Sequence, residues 1–168
     1  ILPVLEAHGA GEVLFAESAA EKDALWFLRR RVGEAVKAAS TYKEEDTVVP
    51  RGHLPALLAK VKALGEAHGF RSICYGHAGD GNLHINILRD DLNEETWNST
   101  LTAAIRELFA EVVRLGGTLS GEHGIGYVQK NFMDLACSPQ QLAIMKGIKR
   151  VLDPKSILNP GKIFPDSR

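Results

Sequence analysis

Apolar residues recur every three or four positions in several stretches of the chain, as in Leu101, Ile105, Leu108 and Val112. This spacing places them on one face of a helix and therefore predicts amphipathic helices. Two of these stretches also begin with a serine that is followed three residues later by Glu or Gln, which is typical of a helix start. The predicted helices are the opening segment before residues 9–11, then 18–39, 54–69, 94–115 and 138–152.

Four shorter stretches have the pattern of strands, namely residues 12–17, 41–49, 71–75 and 83–88. In the last of them, Leu83, Ile85 and Ile87 point to one face of the strand and His84 and Asn86 to the other. The Gly- and Asp-rich residues 76–81 between the last two strands predict a hairpin. Strands mixed with long helices indicate an α+β domain in which helices cover one face of an antiparallel sheet.

Composition excludes several classes of protein. The 168 residues include 20 Lys and Arg against 21 Asp and Glu, without a basic block, which argues against a nucleic-acid partner. No apolar run is long enough for a membrane span. The two cysteines, Cys74 and Cys137, lie in unrelated contexts and predict reduced thiols in a cytoplasmic protein. The chain begins without Met, and its first residues resemble the middle of an amphipathic helix rather than a signal peptide, so we expect a piece of a longer protein.

The hairpin carries the densest group of polar residues. His84 lies on the polar face of its strand, and His77 ends the preceding strand, where its ring can reach the same point. Two converging imidazoles make a site of the kind that zinc prefers. Glu122, flanked by a glycine and His123, supplies a candidate third ligand, which leaves His123 beside the metal as a base.

Simpler interpretations remain open for each of these residues. His77 could be a turn residue, and His84 could bond to the backbone, because their spacing is not a recognised zinc signature. The glycines near Glu122 could form a tight loop without any ligand, and their order is not that of a dinucleotide-binding motif. Arg29, one helical turn before Gly33, could anchor a carboxylate or could belong to a solvated face.

Taken together, these motifs resemble the C-terminal substrate domain of FAD-linked oxidases of the vanillyl-alcohol-oxidase type. The branch is that of the D-lactate, glycolate and D-2-hydroxyglutarate dehydrogenases. The resemblance covers nearly the whole chain. It is carried by residues 25–29, Tyr42 with Lys43, 46–50, 76–84, 120–126, 153–154 and 158–163.

The resemblance implies a ferredoxin-like antiparallel sheet covered by helices, and a role for several residues. It implies that His77, His84 and Glu122 are ligands of a divalent metal, with zinc expected, and that His123 is the catalytic base. It also implies that Arg29, Asn86 and Lys43 bind the substrate and that Asn159 contacts the cofactor. The lysine of the family commonly stands two residues before the aspartate, whereas Lys43 stands three before Asp46. A shift of one residue along a strand turns a side chain to the other face.

For the protein as a whole, the resemblance implies an FAD-dependent dehydrogenase that oxidises a small D-2-hydroxy acid such as glycolate or D-lactate. Residues 1–168 would be its single substrate-binding C-terminal domain, and FAD would be held mainly by an N-terminal domain that this sequence lacks. We therefore expect residues 1–168 alone to be inactive. Electron-transfer subunits are further expected partners, through which a cytoplasmic protein would associate with the inner membrane.

Two other functions fit the same residues. The first is a free-standing zinc hydrolase that uses His77, His84 and Glu122, with His123 or a bound water as activator. The second is a non-catalytic assembly domain in which these residues only tie the hairpin to the glycine-rich loop.

Overall fold

The computed structural model describes residues 1–165. They form two compact units, one from Ile1 to Ala39 and one from Ser40 onward. The prediction of a single substrate domain over residues 1–168 stays a prediction. The first unit consists of the helices α1 (Leu2–Ala7), α2 (Ala19–Arg30) and α3 (Val32–Ala39).

Helix α2 begins at the predicted capping box. The backbone N–H of Glu21 donates to Ser18 Oγ at 3.2 Å, and the backbone N–H of Ser18 donates to Glu21 Oε2 at 2.9 Å. The single helix predicted over residues 18–39 is instead two helices separated by a turn at Arg31, two residues before Gly33, which has a low helix propensity. The strand predicted at residues 12–17 is wrong, because this segment has no strand conformation and pairs with no other described strand.

The second unit is built on a three-stranded antiparallel sheet of β1 (Tyr42–Val48), β2 (Ser72–His77) and β3 (Asn82–Leu88), in the order β1-β3-β2. Its helices are α4 (Leu54–His68), α5 (Leu101–Arg114), α6 (Met133–Ala136) and α7 (Pro139–Leu152). This arrangement confirms the α+β class with helices on an antiparallel sheet. The predicted hairpin is formed by β2 and β3.

The apolar core lies on one face of the sheet. Leu83, Ile85 and Ile87 of β3 belong to the same buried cluster as Leu57 of α4 and Phe109 of α5. Each such side chain stabilises the fold by about 1.5–3 kcal/mol when it is fully buried. Since side chains alternate along β3, His84 and Asn86 point to the opposite face.

Local signals explain several helix ends. Helix α4 ends at Gly69, whose φ of 72° is left-handed, and α7 begins at a capping box between Ser138 and Gln141. The helix predicted from residue 94 contains a π-helical turn at Thr96–Thr100 before α5 begins. Beyond α5, the N–H of Thr118 donates to the carbonyl of Val48 at 2.9 Å and so brings the next loop beside β1. Within residues 1–165, no helix combines the length and the apolar character that a membrane crossing requires.

Candidate metal centre

The sheet face opposite the apolar core carries polar side chains from all three strands. In the antiparallel register, His84 of β3 lies between Asp46 of β1 and Tyr75 of β2. Residues directly opposite each other in an antiparallel pair point to the same face. The register therefore places the carboxylate of Asp46 and the phenol of Tyr75 on either side of the imidazole of His84.

The structure brings the three sequence-predicted metal ligands together. Glu122 Oε1 lies 2.9 Å from His84 Nε2 and 3.7 Å from His77 Nε2. One ligand atom from each of the three residues lies within 4.8 Å of the other two. These three atoms are close enough together to be ligands of a single ion.

The three candidate ligands differ in exposure. The side chain of His84 is only 6% exposed, whereas those of His77 and Glu122 are about half exposed, at 51% and 50%. The ring of His84 is thus buried in the sheet face, whereas the side chains of His77 and Glu122 are partly exposed to solvent.

Asp46 holds the loop that carries Glu122. Its Oδ2 accepts hydrogen bonds from the backbone N–H groups of Gly121, Glu122 and His123 at 2.8–2.9 Å and from Ser120 Oγ at 3.0 Å. Its Oδ1 accepts from Asn82 Nδ2 at 2.7 Å. Successive N–H groups that converge on one oxygen form an anion-binding concavity, here filled by a carboxylate of the same chain.

The charge of Asp46 is stabilised by these donors. Burial alone would raise the pKa of the carboxyl group, but the N–H groups of His123 and Glu122 and the side chains of Asn82 and Ser120 outweigh it. The pKa of Asp46 therefore lies below its usual value. An ionised Asp46 keeps the loop in place at neutral pH.

Gly121 allows the loop to approach Asp46 closely. A Cβ atom at this position would lie 2.2 Å from Asn82 Nδ2 and 2.9 Å from Asp46 Oδ1. Both distances are shorter than a carbon atom can tolerate without displacement of its neighbours. A larger residue at Gly121 would therefore have to displace the side chain of Asn82 or of Asp46, whether or not a ligand is bound.

His123, the predicted base, lies beside the ligands. Its ring centroid is 5.0 Å from that of His84, and the two rings are tilted by 30°. His123 also forms a second close group with Glu44 and His84, with one ligand atom of each within 4.8 Å of the others. His84 is thus shared between two groups of potential ligands.

The predicted substrate-binding residues on the sheet lie on opposite faces. Asn86 shares the face of His84, where its Nδ2 donates to the carbonyl of Ile73 at 3.2 Å and its buried Oδ1 has no hydrogen-bond partner among the described residues. Lys43 pairs with Ile87 and so points to the core face, where its ammonium group bonds to the carbonyl of Trp97. The structure therefore does not bring Lys43 to the group formed by His77, His84 and Glu122.

Each of the two remaining predicted residues lines a cavity. Arg29 belongs to α2 in the first unit and lines a cavity of about 340 Å³ with Trp26 and Lys22. Asn159 lies after α7, where its Oδ1 accepts from Lys162 Nζ at 3.0 Å beside a cavity of about 500 Å³.

Sequence reasoning missed Glu44 and Tyr75. Glu44 Oε1 lies 3.2 Å from His84 Nδ1, and the ring of Tyr75 lies 5.4 Å from that of His84. The alternation along β1 places Glu44 and Asp46 on one face and Lys43 and Glu45 on the other, but only the register of β1 against β3 brings that face to His84. Tyr75 required the register of β2 against β3.

The donor set fits a divalent metal ion. Two imidazole nitrogens and one carboxylate oxygen are the ligands of many catalytic zinc sites, which keep a fourth position open. A site of this composition also suits other first-row metals, since its ligands are neither all soft nor all hard. The structure therefore supports a metal site of this class without selecting the element.

Comparisons with known proteins agree with the motifs. The model of a family described as the C-terminal domain of FAD-linked oxidases matches residues 1–163. A D-lactate dehydrogenase of Anaerostipes hadrus is 40% identical over 95% of this chain and 34% of its own length. A D-2-hydroxyglutarate dehydrogenase of Xanthomonas citri pv. viticola is 37% identical over 95% of this chain and 34% of its own length.

A third relative is the glycolate oxidase subunit GlcD of Bacillus subtilis, which is 29% identical over 92% of this chain and 33% of its own length. The chain thus spans about a third of the length of these curated relatives.

Proposed function

The chain belongs to the family of C-terminal domains of FAD-linked oxidases, and from this membership we propose that it is the substrate- and metal-binding domain of a flavin-dependent dehydrogenase. The full-length protein oxidises a small D-2-hydroxy acid, glycolate or D-lactate, to the 2-oxo acid. The names of the relatives support this substrate class, since they include a D-lactate dehydrogenase and a glycolate oxidase subunit. The observation that carries the proposal is the convergence of His77, His84 and Glu122 within 4.8 Å.

In this proposal, His77, His84 and Glu122 hold a divalent metal, with zinc as the first candidate. FAD is held mainly by an N-terminal domain of the same protein, and Asn159 contacts it from this chain. When bound, the metal supplies a Lewis acid and FAD supplies the hydride acceptor. Residues 1–168 alone, which cover only about a third of the length of the relatives, are inactive in this reaction.

The side chains of this chain bind and orient the substrate. A 2-hydroxy acid is an anion with a hydroxyl group next to its carboxylate. Arg29 pairs with the carboxylate, because a guanidinium group matches its two oxygens. Asn86, whose Oδ1 lacks a partner among the described residues, contacts the substrate from the same face as His84. Lys43 is the weakest substrate-binding candidate, because its ammonium group is directed to Trp97.

His123 takes the hydroxyl proton in this scheme. Imidazole is the side chain best suited to accept a proton near neutral pH. Its ring lies 5.0 Å from that of His84, so a hydroxyl group held at the metal would be near it. The backbone bond from His123 to Asp46 at 2.8 Å fixes the position of this residue.

Electrons leave through electron-transfer partner subunits, and the protein acts in the cytoplasm, at the inner membrane where those subunits bind it. These two points rest on the family resemblance. Co-purification of the full-length protein with such subunits tests both.

The experiment that tests the proposed function compares the full-length wild type with His84→Ala and with His53→Ala, whose histidine lies outside the cluster. We expect about one bound metal ion per chain in the wild type and in His53→Ala, and none in His84→Ala. Reduction of the flavin by D-lactate or glycolate should be slower in His84→Ala by about 10²- to 10³-fold, as when one stabiliser of developing charge is removed.

A wild type that is metal-free when purified without chelators would contradict the metal site. Unchanged flavin reduction in His84→Ala would favour a non-catalytic role for the cluster. Hydrolysis of an ester or amide without flavin reduction would favour a zinc hydrolase.

A further inference from the structure

One nitrogen of His84 lies in a closed environment. Nδ1 is inaccessible to solvent and makes no hydrogen bond of normal geometry within residues 1–165. The nearest carboxylate oxygens are Glu44 Oε1 at 3.2 Å and Asp46 Oδ1 at 3.9 Å. Bulk water therefore cannot be the hydrogen-bond partner of Nδ1, and the candidate partners are these two carboxylates.

The other nitrogen, Nε2, faces the ligand cluster, where it lies 2.9 Å from Glu122 Oε1. A neutral imidazole has one lone pair and one N–H group, and a metal takes the lone pair. If Nε2 gives its lone pair to a metal, Nδ1 must carry the proton. A buried N–H group needs an acceptor, since leaving it unpaired forfeits the hydrogen bond that it makes to water in the unfolded chain.

Glu44 is the better placed acceptor. Asp46 already receives five hydrogen bonds, one on Oδ1 and four on Oδ2, so its lone pairs are committed to the loop and to Asn82. In contrast, the only ion pair of Glu44 within the described residues is the one with His84. The carboxylate of Glu44 is also 0.7 Å closer to Nδ1 than that of Asp46, since the two distances are 3.2 Å and 3.9 Å.

We propose that Glu44 is a positioning residue for the metal centre. Its carboxylate accepts the Nδ1 proton of His84 and so keeps the Nε2 lone pair directed at the site shared with His77 and Glu122. Carboxylate partners of this kind fix the tautomer and the orientation of metal-binding histidines. This inference rests on the proposed function, because it requires a metal between His77, His84 and Glu122.

The competing arrangement is a second ion held by Glu44, His84 and His123, whose ligand atoms also lie within 4.8 Å of one another. In that case Glu44 would be a ligand, and His84 would bind one ion through each nitrogen. A neutral imidazole has a single lone pair and cannot serve both ions. The number of ions per chain therefore distinguishes the two arrangements.

The test uses the full-length protein as wild type, Glu44→Ala, Glu44→Gln and Glu45→Gln. The last variant is the matched control, because Glu45 is the next residue of β1 but points to the other face. Zinc affinity is measured by competition with a chelator, and stoichiometry by metal analysis. The absorption spectrum of the cobalt-substituted protein reports the ligand set.

We expect one ion per chain in all four proteins. Zinc affinity should fall by about 10- to 100-fold in Glu44→Ala. Glu44→Gln should recover part of this loss, since an amide oxygen still accepts the Nδ1 proton, and Glu45→Gln should bind as the wild type. The cobalt spectrum should keep its band positions in Glu44→Gln, because the ligands are unchanged.

Two ions in the wild type and one in Glu44→Ala would overturn the proposal and make Glu44 a ligand. One ion in the wild type with equal affinity in Glu44→Ala would overturn it while leaving the proposed function intact. A wild type that binds no ion would overturn both.

Discussion

The carboxylate of Asp46 accepts a hydrogen bond from the backbone N–H of Glu122 at 2.8 Å, although the two residues are far apart in the sequence. Asp46 lies on β1 opposite His84 of β3. One side chain therefore fixes the loop that carries Glu122 relative to the strand that carries the buried His84. The proposed metal centre requires this connection as well as the candidate ligands.

Asp46→Asn should disrupt the centre without removing a ligand. Asn has only one acceptor oxygen, so it cannot accept both from Asn82 and from the donors of the loop. We expect the free energy of unfolding to fall by roughly 2–4 kcal/mol, because buried donors lose a charged partner. Bound zinc should be lost in parallel, because Glu122 is no longer held near His84.

The matched control is Asp134→Asn, which removes an exposed carboxylate that pairs with Arg106. Surface pairs contribute about 0–1 kcal/mol, so this variant should unfold and bind zinc as the wild type. Urea unfolding and metal analysis of the purified proteins provide the comparison. Full zinc occupancy in Asp46→Asn would show that the loop keeps its position without the carboxylate.

The proximity of His77 and His84 could be predicted from sequence, because a hairpin necessarily brings its two strands together and both residues lie near its loop. The carboxylates that surround His84 could not be predicted in this way. Glu44 and Asp46 reach His84 only through the pairing of β1 with β3, which joins segments separated by the whole of α4. Such long-range register is set by the packed core and leaves no local signal.

The same reason explains the incorrect strand prediction. Residues 12–17 have the composition of a strand, but a strand needs a partner, and none of the described strands pairs with them. In contrast, the starts of α2 and α7 were predicted because a capping box is formed by residues only three positions apart.

Gly121→Ala should also weaken metal binding. The added Cβ would lie 2.2 Å from Asn82 Nδ2, so either Asn82 or the loop must move. We expect a loss of about 1–3 kcal/mol in the free energy of unfolding, as for other overpacked sites. Zinc affinity should fall at least about 10-fold, the loss seen when groups around metal ligands are disturbed.

Gly79→Ala is the control for this variant, since Gly79 lies in the hairpin loop and an added Cβ would meet no atom within 4 Å. Its stability should stay within about 0.5 kcal/mol of the wild type. Chelator competition and urea unfolding measure both effects. Equal zinc affinity in the two variants would mean that the close contact of Gly121 with Asn82 does not position Glu122.

The variant Lys43→Met tests whether the core face of β1 contributes to metal or substrate binding. Lys43 bonds to the carbonyl of Trp97 on the core face, so its loss should cost about 1 kcal/mol of stability. Zinc affinity and the KM of the full-length enzyme for D-lactate or glycolate should change less than about threefold, which is below 1 kcal/mol. A large rise in KM would instead make Lys43 a substrate-binding residue.

Arg29→Met is the contrasting variant. If Arg29 pairs with the substrate carboxylate, its removal should raise KM by about 10- to 100-fold, which corresponds to a charged hydrogen bond of about 1.5–3 kcal/mol. Unchanged KM in Arg29→Met would assign it to the solvated face of α2.

The stability of the protein should depend on pH through Glu45. This side chain is 2% exposed on the core face. Burial raises its pKa from 4.5 to about 7. Gln129 and Lys43 oppose this increase in the pKa, and the negative charge of Glu44 adds to it. The folded protein therefore binds a proton that the unfolded chain releases, so the free energy of unfolding falls as pH rises from about 4.5 to about 7. The full penalty, roughly 3 kcal/mol, is present above pH 7 and absent below pH 4.5.

Glu45→Gln removes this titration while keeping the shape of the side chain. We expect the variant to be more stable than the wild type at about pH 8 and to lose this advantage at about pH 5, where the wild-type carboxyl is protonated in the fold. Glu66→Gln, at an exposed position of α4, should show no such difference. Urea unfolding at both pH values measures the difference in the free energy of unfolding between each variant and the wild type. If the gain in stability of Glu45→Gln is equal at both pH values, Glu45 is ionised in the folded protein throughout this range.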